Sequence, residues 1–186
     1  VIEMSVTGLE QAITALQKQS KALVNLEPAY KRCAAEYVKR TDDAFQNERG
    51  YDGETYEPLA QSTIDKRIGN LKAANKRGKS GKLTKGAQRF RERLKSPGGI
   101  KPLIDTARAR NSVHATSSRE GIEWSAVGYL GFHMGGATSA GRSRTVTIPV
   151  RNPTPFYWSG DEWKLRESAR KTLEEHIKRH VYGVAT

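Results

Sequence analysis

Residues 113–126 read VHATSSREGIEWSA, and this stretch decides the fold class. Val113 and Ala115 alternate with polar neighbours, and Ile122, Trp124 and Ala126 do the same. Ser117, Ser118 and Gly121 lie between the two runs. Period-two alternation on both sides of a turn-forming cluster predicts an antiparallel hairpin with one face on a core. A further strand fits Val146, Ile148 and Val150. Pro149 puts it at an edge or at a strand end, because proline cannot donate to a ladder.

On either side of the hairpin the period changes to that of a helix. Leu9, Ile13, Leu16 and Leu23 form one stripe over residues 7–25, with Thr7 and Glu10 spaced as a capping box. Pro28 suits the first turn of a second helix that runs to about Gln46, with Tyr30, Cys33, Tyr37, Thr41, Ala44 and Phe45 in helical period. Residues 57–68 allow a short helix after Pro58. Near the other end, Ser159 and Glu162 are spaced as a capping box before a last helix with Leu165, Ala169, Leu173 and Ile177 on one face. Helices, antiparallel strands and a closing helix make one α+β domain over residues 1–186, with the C-terminal helix packed on the sheet.

One segment breaks the pattern. Residues 69–99 lose apolar periodicity, are rich in Gly and Lys, and predict a long exposed loop with weak helical character over 86–95. The chain carries a net charge of +12, and residues 72–95 hold ten Lys or Arg against Glu92 alone. That segment accounts for +9, so the rest is a near-neutral domain rather than a uniformly basic nucleic-acid binder. Lys72, Lys76, Arg77, Lys79, Lys82 and Lys85 are candidates for contact with DNA phosphates or an acidic partner, or are simply a solvated face. Phe90 is the one aromatic residue there, too few for base stacking.

No apolar run approaches the ~20 residues that cross a bilayer, and no basic-then-apolar leader opens the sequence, so neither a membrane span nor a signal peptide is expected. Cys33 is the one cysteine, which excludes an intrachain disulfide and a cysteine metal cluster and suits synthesis in a reducing cytosol. His176 and His180 are spaced i, i+4, but Ile177 stands where a metalloprotease helix needs Glu, and no metal is expected. Gly78-Lys79-Ser80 lacks the preceding strand and glycine of a phosphate-binding loop. His133 sits in a glycine-rich turn and reads as a packed histidine. No catalytic residue and no cofactor are expected.

A succession of landmarks remains. Phe45 is followed by Gly53, Tyr56, Pro58, Leu59 and Thr63, and then by Pro-Leu-Ile-Asp-Thr-Ala-Arg at 102–108. Val127-Gly128-Tyr129, Phe132-His133-Met134-Gly135-Gly136, Thr147-Ile148-Pro149-Val150-Arg151 and Pro155-Phe156 complete the order. Over roughly residues 40–180 the chain resembles the phage virion morphogenesis family, the tail completion proteins of Mu-like contractile-tailed phages. It departs from that family at Tyr56, where Trp is usual, at Ala107, where Gly is usual, and at Met134, where Gln is usual.

The resemblance implies a structural virion protein, made in the host cytoplasm, that completes the tail or joins it to the head. Its implied partners are further copies in a hexameric ring, the tail tube or sheath, and head-connector proteins. The expected subunit interface runs from Arg144 to Trp158, through Arg144, Arg151, Tyr157 and Trp158, which are residue types that anchor interfaces. The competing reading of these aromatics is as core residues covering the C-terminal helix, and Phe156 suits that reading better than the interface. The competing function is a basic nucleic-acid-binding accessory protein.

Overall fold

The computed structural model describes residues 9–96, 99–100, 107–140 and 146–183. Thr7, Arg144 and the landmark residues at 102–106 lie outside them. Helix α1 spans Leu9–Val24 and α2 spans Glu27–Asn47. α2 is the spine of the body. Pro28 sits in its first turn, where no intrahelical N–H is lost. Its buried positions, Ala29, Cys33, Ala34, Tyr37, Thr41, Ala44 and Phe45, recur at helical spacing along one side.

Over residues 69–96 the chain is more regular than its composition suggests. α3 (Gln61–Asn70) leads into a 3₁₀ turn (Lys72–Asn75), a bridge between Arg77 and Leu83, and α4 (Lys85–Lys95). The Asn75 side-chain amide donates to the carbonyls of Gly69 and Leu71 at 2.7 and 2.9 Å, closing the end of α3. Thr84 caps α4 by accepting from the Ala87 N–H at 3.2 Å. The buried contacts are Ile68, Ala74 and Ala87, with Phe90 and Leu94 half-buried. A core made of two alanines and one isoleucine leaves almost no hydrophobic period to read.

The first strand pair and the last helix pack on the α2 spine. A single helical turn, α5 (Arg108–Asn111), leads into β1 (His114–Ser117). β1 pairs with β2 (Ile122–Ser125) in antiparallel register, with Ala115 opposite Trp124. The hairpin read from residues 113–126 is therefore present, with Ile122 and Trp124 half-buried and Glu123 and Ser125 exposed. α6 (Leu130–Gly135) follows, and one core cluster joins Phe45, Ala109, Val113, Leu130 and Met134. α7 (Glu167–Tyr182) packs along α2, and the Tyr37 hydroxyl donates to the Ala169 carbonyl across the seam at 2.7 Å. A second cluster joins Cys33, Tyr37, Tyr51 and Ala169 there.

The fold is mixed α+β as expected, but among the described residues the strands form three separate two-stranded pairs. β3 (Ala137–Ala140) pairs with β4 (Val146–Ile148). Pro149 ends β4, so Val150 falls outside the strand. β5 (Phe156–Ser159) pairs with β6 (Glu162–Leu165). This last hairpin replaces the capping box read from Ser159 and Glu162, which face each other across its end. Gly160, at φ 65°, takes the positive-φ position that a two-residue hairpin turn needs, and the aromatic flanks favour strand. α7 begins one residue after β6, behind Arg166.

Candidate assembly surfaces

The β5–β6 hairpin carries the most prominent exposed aromatic cluster. Trp158 lies opposite Trp163 in the ladder, and their rings meet edge-to-face at 5.0 Å between centroids. Trp158 is 50% exposed and Trp163 42%, with Tyr157 turned to solvent from the other face of β5. At the inner end of the same face, Phe156 stands opposite Leu165 and meets the Trp124 ring edge-on at 5.7 Å. One face of the hairpin thus begins in the core and ends in water. Beside it opens an apolar groove of about 360 Å³, lined by Trp124, Val127, Leu130, Met134, Phe156 and Trp163. α6 forms the opposite wall and adds an exposed Phe132 at its edge.

The four interface candidates therefore separate. Tyr157 and Trp158 are at the surface, and Arg144 lies outside the described residues. Arg151 is not a surface residue. It is 5% exposed, and its guanidinium donates to the carbonyls of Glu57 and Pro58, with Nη2 to the Glu57 oxygen at 3.0 Å. It ties the loop before α3 to the body. The residues after it, Asn152 to Pro155, are buried as well. The Asn152 carboxamide oxygen accepts from the N–H and hydroxyl of Thr154 at 2.9 and 2.8 Å, so the irregular backbone stays satisfied. A capping-box reading of Ser159 and Glu162 hides Trp163. The signal that finds it is Gly160-Asp161 between two aromatic runs.

The six basic candidates share one unit. Lys72 lies in the 3₁₀ turn, Lys76, Arg77, Lys79 and Lys82 in the tight turn that follows, and Lys85 at the start of α4. All six are exposed. The Arg77 guanidinium closes the turn by donating to the Gly81 carbonyl at 2.6 Å. Gathered on a folded unit, these charges present a fixed cationic surface.

The histidines go to separate places. His176 Nε2 pairs with the Glu36 carboxylate at 2.9 Å, and His180 Nε2 lies 2.8 Å from the Asn25 carbonyl. Among the described residues, no group of three His, Cys, Asp or Glu side chains could hold a metal ion. Cys33 is buried, and desolvation pushes its thiol up. Comparison of the chain with protein-family models, with curated proteins and with solved structures finds no match. No helix among the described residues is long and apolar enough to cross a membrane.

The burial of His133 predicts a fold that loses stability in acid. Burial, followed by the charges of Arg151 and Arg67, holds its imidazole below the usual range. The native state keeps it neutral at pH values where the unfolded chain, titrating near 6.5, already takes up a proton. Its contribution to stability is thus full above about pH 6.5 and is lost as pH falls through the depressed native value. His133→Gln should reduce the drop in urea midpoint between pH 7.5 and pH 5.5. Equal drops in wild type and variant would show that His133 does not contribute.

Proposed function

We propose that this chain is a structural protein of a tailed-phage virion, one that forms a ring to complete the tail or join it to the head. The observation that carries the reading is the exposed Trp158–Trp163 pair beside an apolar groove. Exposed aromatic clusters of this kind mark protein contacts, and buried Trp, Tyr and Arg dominate binding energy. An aromatic projection and a groove on one chain suit a head-to-tail interface, which closes into a ring when the rotation allows. The role is one of assembly rather than catalysis, with further copies, the tail tube or sheath and the head connector as partners.

A backbone detail supports the family resemblance. Ala107 stands where that family usually has Gly, and here it has φ 57°, in the left-handed region. Glycine adopts that conformation without penalty, whereas an L side chain pays about 1–2 kcal/mol. Ala107→Gly is therefore expected to stabilise the protein by roughly 0.5–1 kcal/mol, part of the relief being offset by the freer unfolded chain. Chemical denaturation measures it, and a destabilised variant would contradict the strain.

Deleting the gene from the phage genome that carries it should yield particles whose tails do not retain heads, visible by electron microscopy. Normal infectious particles would contradict the proposal. The cationic unit favours a second reading, a nucleic-acid-binding accessory protein. Such a protein holds DNA with an affinity that falls steeply as salt rises, and does not need rings.

A further inference from the structure

The unit from α3 to α4 carries most of the net charge of the chain, and its charges are held in place. Residues 61–95 hold twelve Lys or Arg against Asp65 and Glu92, a net +10 of the total +12. Asp65 is already taken, since its carboxylate meets the Lys95 ammonium at 3.1 Å and ties α3 to α4. On α4, Ala87 is buried and Phe90 and Leu94 are half-buried on the same side. The opposite side presents Lys85, Arg89 and Arg93, all exposed and four residues apart. At 1.5 Å of rise per residue they form a ridge of cations about 6 Å apart. The turn before α4 extends that ridge. The Gly78 N–H donates to the Lys82 carbonyl at 2.9 Å, and the Thr84 N–H donates to the Lys76 carbonyl at 3.0 Å. Lys76, Lys79 and Lys82 therefore stand exposed on a closed turn directly before Lys85.

The side chains around these cations say what partner fits. An interface with an acidic protein brings an apolar centre and aromatic anchors. A membrane surface takes apolar side chains into the lipid. Leu71 is the one large apolar side chain that the unit exposes. Single-stranded nucleic acid is held by stacking its bases on aromatic rings. Phe90, the one aromatic residue here, is half-buried, with the Arg93 guanidinium 5.1 Å from its ring centre. What remains is a fixed array of point charges. Duplex DNA matches it, with one phosphate per ~1.7 Å of helix axis and counterions to release. Phosphate contacts position a protein on the duplex and carry no sequence information.

We infer that the outer ridge of α4 and the turn before it form a docking surface for duplex DNA, held through its phosphates without sequence preference. Lys76, Lys79, Lys82, Lys85, Arg89 and Arg93 make the contacts. Glu92, exposed on the outer side of α4, works against them. The contact needs only the folded unit. It goes beyond the ring reading and holds for a single chain or for a ring.

Fluorescence anisotropy of the full chain with a labelled duplex of about 30 base pairs tests it. Six phosphate contacts predict an affinity that falls about a thousandfold between about 50 and 200 mM salt. K85A/R89A/R93A changes exposed positions to a residue that suits a helix, and circular dichroism should show it folded. It should bind at least about tenfold more weakly at about 100 mM salt, and lose only about fortyfold over the whole range. K171A/K178A/R179A removes the same charge from α7 and should change affinity by less than about threefold. E92Q, which leaves every cation in place, should tighten binding by about twofold. A second duplex of unrelated sequence should bind within about threefold of the first. Equal losses in the two triple variants, or no tightening in E92Q, would overturn the surface. Tighter binding of a single strand or of duplex RNA, or full competition by poly-glutamate at equal charge, would overturn duplex DNA as its partner. Light scattering without DNA keeps the two ideas apart. Rings that ignore the duplex overturn the docking surface and leave the ring. A monomer that binds the duplex through α4 supports the docking surface and overturns the ring.

Discussion

Replacing Trp158 and Trp163 together by Ala is expected to turn rings into monomers while leaving the fold standing. Two energies compete here. The edge-to-face pair contributes about 0.5–1.5 kcal/mol to its hairpin, which lowers stability modestly when lost. As anchors of the proposed interface, the same rings would contribute about 2 kcal/mol or more each to association, so losing both would weaken every contact roughly a thousandfold. Association therefore suffers far more than folding. Light scattering should show the loss of the large species, and thermal melting should stay cooperative with a midpoint a few degrees lower. Wild-type particle size in the double variant would place the subunit contact elsewhere.

The strand register at 113–126 was legible because Ile122 and Trp124 are large and their neighbours polar, so one face stands out from the other. The α2 spine was legible for the same reason. Two kinds of feature were not. In the unit from α3 to α4 the buried residues are mostly alanine, and twelve cations hide a fold held by Asn75, Thr84 and backbone bonds. At 159–162 a capping-box spacing competed with a glycine turn between aromatic runs, and the turn prevailed because it pairs Trp158 with Trp163. Tyr157 and Trp158 are interface candidates by residue type alone, and the structure shows that both are exposed. Arg151 was misplaced for the same reason, since arginine serves interfaces and buried carbonyl clamps alike. The stripe on α1 was visible too, but a sequence does not say whether a stripe is covered by its own chain.

Phe45→Ala should have the largest effect on the fold itself. Phe45 is 1% exposed and sits where α2 meets the β1–β2 hairpin, α6 and the ring of Phe156. Removing it forfeits the buried area and leaves a cavity among Val113, Leu130 and Met134, a combination that typically costs about 3–5 kcal/mol. For a domain of this size that is a fall in melting temperature of about 10 °C. Because total stability is only about 5–15 kcal/mol, part of the protein should be lost to aggregation during expression at 37 °C. A shift of a degree or two would mean that the first core cluster does not organise the fold.

Self-assembly without nucleic acid is the central claim. The direct measurement is the mass and shape of the purified chain at physiological salt, by light scattering and negative-stain microscopy, with DNA removed. A ring of six copies of a 20.7 kDa chain predicts closed annular particles of about 124 kDa. A single species near 20.7 kDa up to the solubility limit, forming larger complexes only when DNA is added and losing them as salt rises, would contradict it.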